Sequence, residues 1–406
     1  MQVFREVIMM SIQEDIQQQE QEKLKKITVK DRDFIAESKK QYDSFNASSW
    51  RKGLGWKMSP GIFPNFDEKM EGLESGLYLF AAEPNIGKSA LLLELALQYA
   101  ANPDNKLFCL YFSLDDTADK LIPRLLASHS SLAVAENSGA PIDLFSKPLR
   151  YVEKLKNMDP ESDMAKIYYS YLYEDISLGG AINPEYIGVT PDNLEQFSDS
   201  VRAKAYKWLH STEDYFMIID GTEISNGEQL IDCCKKVQQY IREVMADPEY
   251  NVIIAIDSLS DIQWENKRLN NDKELNDYTS KKIKQLAVEE LQCAIFGSIH
   301  LRKIDQKKRP TIADVKESGR WAYEANVVFV LHNDVARNGE RAVIYGHDLD
   351  DPEGFKLPVI EIRWAKNKQS SFKGYTFCYF KTNFSKVWEV TEESDITRFT
   401  GLLYST

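Results

Sequence analysis

The eight residues AEPNIGKS, Ala82 to Ser89, hold the densest concentration of chemistry in the chain. They lie between an apolar run, GLYLFAA at 76–82, and a helix-forming run, ALLLELALQYA, that follows Ser89. Strand, turn and helix in that order is the context a phosphate-binding loop requires, because backbone N–H groups and a helix N-terminus both present partial positive charge to an anion. In such a loop Gly87 permits close approach, Lys88 reaches the β- and γ-phosphate oxygens, and the Ser89 hydroxyl ligates Mg²⁺. The spacing predicts ATP with Mg²⁺, held over Ala82, Glu83, Pro84, Asn85, Ile86, Gly87, Lys88, Ser89 and Ala90. Ala82 stands where glycine is usual in this pattern. Further along, VIIAIDS puts Asp257 at the end of a fully apolar strand, where a carboxylate can hold Mg²⁺ through water.

These groups need a scaffold, and short apolar runs supply it: KLFCLYFSL at 106–114, YFMIID at 215–220, VIIAID at 252–257, CAIFGSI at 293–299 and VVFVL at 327–331. Strands of this kind, spaced by helix-period segments, predict an α/β fold with a mainly parallel central sheet covered on both faces. VIEIRWAK and YTFCYFK read as antiparallel strands at one edge. Residues 130–210, with IYYSYLY and acidic, Asn/Pro-containing turns, read as a surface layer of helices and loops. Residues 1–55 are polar and Gln/Glu/Lys-rich, closing on the Gly/Pro-containing stretch near 48–66. They read as a helical linker or oligomerisation segment, ahead of an ATPase domain over 56–395 and a tail over 396–406.

With 406 residues, 43% hydrophobic and 28% charged, the chain has the composition of a soluble globular protein. No stretch approaches the roughly 20 apolar residues that span a bilayer, and the N-terminus has no signal-like apolar core, so neither membrane insertion nor secretion is expected. Five cysteines without CxxC spacing point to a reduced, cytoplasmic setting. A net charge of -13 excludes nucleic-acid binding over the whole surface but leaves room for a local basic channel. From 298 to 320, Arg302, Lys303, Lys307, Lys308, Arg309, Lys316 and Arg320 face only Asp305, Asp314 and Glu317; from 362 to 374, Arg363, Lys366, Lys368 and Lys373 face no acid.

Over residues 60 to 390 the order of motifs resembles DnaB-type replicative helicases. The family's P-loop has the form A-x-P-x-x-G-K-[ST], which Ala82 and Pro84 match. GIFPNFDEKMEGLESG, FSLDDTADKLIPRLLAS and, most specifically, RPTIADVKESGRWAYEANVVFVLHND also follow family segments. The resemblance implies a RecA-like motor in a ring, with ATP at each subunit junction. Asp115 falls on the carboxylate that activates the attacking water, Arg124 on the arginine near the nucleotide base, and His300 on the γ-phosphate-sensing Gln. Lys316, Glu317 and Gly319 fall on the loop that meets DNA in the ring's channel, with Arg302 and Lys303 in the same basic segment. Lys366 and Lys368 fall on the K-x-R pair that reaches a neighbouring subunit's ATP.

Three substitutions depart from the family. Asp115 replaces Glu, and a ~1 Å change of reach can cost about a hundredfold in rate. Lys368 replaces the arginine finger, whose planar fork an ammonium does not match. His300 replaces Gln and adds pH sensitivity. The reading is an ATP-dependent ring, a hexamer, that translocates on single-stranded DNA and unwinds duplex in replication, with primase or a helicase loader as partner. The usual N-terminal helical domain of such proteins is not expected here, as in a phage or plasmid variant. The alternatives are a non-helicase RecA-like ATPase whose nucleotide controls oligomerisation or partner binding, and a scaffold with an inactive ATPase core.

Overall fold

A computed structural model describes residues 39–40, 55–130, 140–177, 201–265, 271–302, 308–315, 319–347 and 356–405. The linker segment expected over 1–55 therefore lies almost wholly outside the described residues.

The apolar runs form strands: β1 (Gly76–Ala82), β2 (Leu107–Ser113), β3 (Phe216–Asp220), β4 (Asn251–Asp257), β5 (Ala294–His300) and β6 (Val327–Asn333). They lie in the order β6-β1-β5-β4-β2-β3, all parallel. Beyond β6 the sheet continues antiparallel through β8 (Lys356–Asn367), β9 (Tyr375–Lys381) and β10 (Lys386–Glu389), and β7 (Tyr345–His347) pairs with β8. Both expected antiparallel strands are present; β7 and β10, at three and four residues, carry too little pattern to be read in advance.

Side chains alternate across a strand, so β1 sends Tyr78, Phe80 and Ala82 into one apolar cluster and Leu77, Leu79 and Ala81 into another. The first cluster is covered by helix α2 (Lys88–Ala101), which α1 (Pro64–Met70) precedes. Glu389 of β10 accepts the backbone N–H groups of Asn65 and Phe66, each at 2.7 Å, and so caps α1, whose own N-cap Phe63 cannot. Helix α3 (Ala118–His129) follows β2. Four further helices, α4 (Ile142–Ser146), α5 (Leu149–Leu155), α6 (Asp163–Ser177) and α7 (Val201–Ser211), form the expected surface layer. That layer has an apolar cluster of its own and joins α3 where the His129 and Trp208 rings stack at 4.0 Å.

The second face is covered by α8 (Gly227–Val244) and α9 (Asp272–Gln285). Two short helices, α10 (Gly319–Glu324) and α11 (Asp334–Asn338), flank β6. The stretch 396–406, expected as a tail, is largely helical: α12 (Glu393–Ser405) buries Phe399 against Phe377 at 5.4 Å between ring centroids. All five cysteines are buried and free. Among the described residues no helix is long and apolar enough to cross a membrane.

Candidate functional site

In a parallel sheet the groups that meet a ligand collect at the carboxyl ends of neighbouring strands. Here β1, β5, β4 and β2 lie side by side, and their register sets Ala82 opposite His300 and Ser113 opposite Asp257. The loop after β1 turns through Asn85 at φ 63° and Gly87 at φ 101°. That φ at Gly87 is one side chains rarely adopt, and a Cβ there would also crowd Ile360 Cδ1 at 2.8 Å and Phe380 Cε1 at 2.9 Å, so the position favours glycine. Lys88 follows as the first residue of α2, and the half-buried Ser89 sits beside it in the first turn.

Lys88 is buried at 8% exposure, and burial pushes its ammonium down from the usual lysine range. The charges of Asp257, Asp115 and Asp261 act against that shift, which places all three carboxylates around it. No carboxylate among the described residues forms a close ion pair with it. A buried ammonium aimed among acids without a direct partner fits a binding site for an anion.

Asp257 is held from two sides. Ser298 Oγ donates to Oδ1, and Tyr111 Oη donates to Oδ2 at 3.2 Å. Burial and the charge of Asp257 push the Tyr111 phenol well above its usual range, keeping it a donor. Ser298 lies two residues before His300 on the same face of β5, so one strand supplies both groups. Neither Tyr111 nor Ser298 was singled out in the sequence, because the contact depends on register between strands. Asp261, also missed, lies just beyond β4, where its Oδ2 accepts from Ser258 Oγ at 2.6 Å.

His300 is half-buried at the strand end, and its imidazole is held below the usual histidine range by burial first and Lys88 second. Asp261, Asp115 and Asp257 oppose the shift. Asp115 is exposed in the turn after β2, while its neighbour Asp116 takes Arg124 Nη1 at 2.8 Å and Lys120 at 3.4 Å. Arg124 is thus oriented by Asp116 at the start of α3. Because an anion beside His300 raises its proton affinity, magnesium-ATP binding is expected to tighten as pH falls from neutral in the wild type and not in His300→Gln. One unit of linked pKa rise corresponds to about tenfold in affinity. Titrations of both proteins between pH 7.5 and 5.5 check this; parallel curves would remove His300 from contact with the nucleotide.

The residues present fit a magnesium nucleotide. Among the described residues no cluster of three or more His, Cys, Asp or Glu could hold a metal alone. Magnesium near Ser89 and Asp257 would therefore complete its oxygen shell from phosphate and water, as that ion commonly does.

The remaining candidates lie elsewhere. Arg302 is exposed at the end of β5, and Gly319 opens α10 with free space around its Cα. Lys303, Lys316 and Glu317 lie outside the described residues. The stem of this segment is closed by a Leu301–Val315 bridge and by Arg302 N–H donating to Asp314 O at 2.8 Å. Lys366 and Lys368 lie at the opposite end of the sheet: β8 runs past Gly87 at Ile360 and pairs Asn367 with Val327 at the start of β6. Six residues of strand at ~3.3 Å each put Lys366 roughly 20 Å from the loop of its own chain.

A phosphate loop opening a helix, with carboxylates on the adjacent strand ends of a mainly parallel sheet, defines a RecA-like P-loop nucleotide-binding fold. The family model described as the DnaB-like helicase C terminal domain matches residues 60–159 and 193–387. This chain belongs to that family, with 160–192, which include α6, outside the match. Among solved structures, one described as an ATPase domain is similar at 17% identity and a TM-score of 0.58, over 89% of this chain and 100% of that one. A DnaB-like replicative helicase, solved to show its interactions with primase, is similar at 16% identity and a TM-score of 0.56, over 86% of this chain and 66% of that one. No curated protein matches.

Proposed function

We propose that this chain is an ATP-driven, ring-forming motor that binds and moves along single-stranded DNA, unwinding duplex during replication. One observation carries the reading: the groups for nucleotide chemistry collect at one end of the sheet, while Lys366 and Lys368 stand at the other. These two lysines cannot serve the loop of their own chain, and closed rings bring opposite ends of neighbouring subunits together.

When bound, magnesium-ATP supplies the reactive phosphorus and the negative charge that the site must neutralise. Lys88 binds the β- and γ-phosphate oxygens, and the helix N-terminus beside it adds partial positive charge. Asp257, fixed by Ser298 and Tyr111, would hold magnesium through water. Asp115 orients the attacking water, and His300 donates a hydrogen bond to the γ-phosphate. Arg124, aligned by Asp116, lies against the base, and Lys368 comes from the adjoining subunit. The 302–319 segment, with Arg302, Lys303, Lys316, Glu317 and Gly319, faces the nucleic-acid backbone, so binding is sequence-tolerant and salt-dependent. Residues 56–395 are the motor unit, 1–55 clasp a neighbour, and the assembly is a hexamer that takes primase or a loader as partner. The short reach of Asp115 and the ammonium of Lys368 support a second reading, in which ATP controls assembly and turnover is slow.

The test is ATP hydrolysis with and without single-stranded DNA, for the wild type, Lys88→Ala, Lys368→Ala and a mixture of the two variants. The motor reading expects DNA stimulation in the wild type, loss in each variant and partial recovery in the mixture, because mixed rings contain junctions with both groups intact. Hydrolysis indifferent to DNA supports the second reading. A mixture no better than its components rejects the shared site.

A further inference from the structure

The amino end of the parallel sheet gathers three ammonium groups. Lys284, from the last turn of α9, donates to Asn326 Oδ1, the side chain that also accepts Leu77 N–H at the start of β1. The backbone N–H of Lys368 donates to Asn326 O at 3.0 Å, and its ammonium lies 6.0 Å from the centre of the Tyr323 ring, whose residue is 69% exposed. Lys366 is engaged differently: its ammonium donates to the carbonyls of Ala322, Tyr323 and Ala325 at 2.6, 2.8 and 2.6 Å. Ala322 and Tyr323 are in the last turn of α10 and Ala325 follows it, so Lys366 serves as a cap on the end of that helix.

Among the described residues the charges are not balanced locally: Glu324 is the one carboxylate there that acts on both Lys284 and Lys366, and Arg320 already takes it at 2.7 Å. Burial and mutual repulsion hold Lys284 below the usual lysine range and bring Lys366 down to about 8. Half-buried cations crowded in this way are relieved by an incoming anion. Lys366, however, has its three donors committed to carbonyls, which leaves Lys284 and Lys368 to meet it.

We propose that Lys284, together with Lys368, forms the phosphate-contacting pair presented to the neighbouring subunit's nucleotide, while Lys366 holds the end of α10. The inference rests on the shared-site reading above and changes which residues carry it: the pair comes from α9 and the end of β8 instead of from β8 alone. Neither strand pattern nor spacing marks Lys284, because its proximity to Lys368 comes from packing across 84 positions of sequence.

The experiment measures ATP hydrolysis and thermal midpoint on the full chain carrying Lys284→Met, Lys284→Gln, Lys284→Arg, Lys366→Met or Lys368→Ala. Each of Lys284→Met, Lys284→Gln and Lys368→Ala is then mixed with Lys88→Ala. Lys284→Met and Lys284→Gln are expected to lower kcat at least tenfold with the midpoint in place, and Lys284→Arg to keep most of it. The Gln variant keeps an N–H donor without the charge, and Lys284→Arg keeps both, so loss of rate in Gln with retention in Arg assigns the effect to the cation. Lys366→Met is expected to lower the midpoint. Mixing with Lys88→Ala should restore hydrolysis to the Lys284 variants as it does to Lys368→Ala. Wild-type rates in both Lys284→Met and Lys284→Gln overturn the proposal, as does recovery with Lys368→Ala but not with the Lys284 variants. Recovery with none of them removes the shared-site reading itself, and this inference with it.

Discussion

Lys88→Met is expected to abolish most ATP hydrolysis and, at neutral pH, to leave the nucleotide-free protein more stable than the wild type. The two effects have one cause. Lys88 is buried, with Asp257, Asp115 and Asp261 acting on it but no close ion pair among the described residues, and burial depresses its proton affinity. A folded-state pKa below the unfolded value means that the fold disfavours the ammonium, so the protonated side chain costs stability throughout the range below its folded pKa. That cost falls away as pH rises through the folded pKa toward the unfolded value near 10.5, because the folded group then gives up its proton first. Methionine fills similar volume without the charge, so the gain should be present at pH 7 and shrink in alkaline solution. Hydrolysis should meanwhile fall by about 10²- to 10³-fold, the usual cost of deleting a preorganised donor aimed at developing charge. Chemical denaturation at pH 7 and pH 10, with a steady-state ATPase assay, checks both parts. Wild-type turnover in the variant would take Lys88 out of the site, and lower stability at pH 7 would show that its ammonium has a stabilising partner in the fold.

The phosphate loop was legible in the sequence because its geometry is local: eight consecutive residues specify the strand exit, the turn and the helix start. Strands β1 to β6 were legible for a different reason. Each is covered on both faces, so its residues form an uninterrupted apolar run, and turns bound the runs. What depended on neighbouring strands was not legible. Asp257 could be named, but Tyr111 and Ser298 are fixed on it only by the register of β2, β4 and β5. The cap that Lys366 places on α10, and the approach of Lys284 to Lys368, arise from packing between distant segments. The short strands β7 and β10 and the helical character of 393–405 were missed because three or four residues, or a helix with a single fully buried aromatic at Phe399, give little periodic signal. Resemblance named Arg124 and Lys366, yet it could not say that each would be tied to an intramolecular partner.

Those intramolecular ties matter most at the foot of the basic segment, where Arg309→Met is expected to destabilise the protein strongly and in a pH-dependent way. Arg309 Nε donates to Glu361 Oε2 at 2.8 Å and Nη2 to Oε1 at 3.3 Å, a two-pronged contact with a carboxylate only 1% exposed. Burial raises Glu361 to about 7; Arg309 pulls against that rise, and Asp334 adds to it. His332 nearby is pushed down to about 4 by burial first and by Arg309 second. Removing one partner of a buried ion pair typically costs about 3 to 5 kcal/mol, because the other charge is stranded. The sign follows from the raised folded pKa. Relative to the unfolded chain, Glu361 favours the fold when protonated, and that contribution is lost as pH rises through about 7. Without Arg309 the folded pKa rises further, so the deficit of Arg309→Met should be large at pH 8 and smaller at pH 5.5. Replacing both residues, as Arg309→Met with Glu361→Leu, should recover most of the loss, since no charge is left buried. Urea denaturation of the single and double variants at the two pH values decides the matter, and equal deficits at both would show that the stranded carboxylate is not the cause. Arg309 also roots the segment whose stem the Leu301–Val315 bridge closes, and Arg337 Nη1 joins the Lys308 carbonyl at 2.9 Å to Glu83 of the phosphate loop at 3.5 Å. Under the motor reading this is a physical path from nucleotide to nucleic acid. At pH 5.5, where the fold of Arg309→Met is least compromised, DNA stimulation of hydrolysis should therefore drop more than the DNA-free rate.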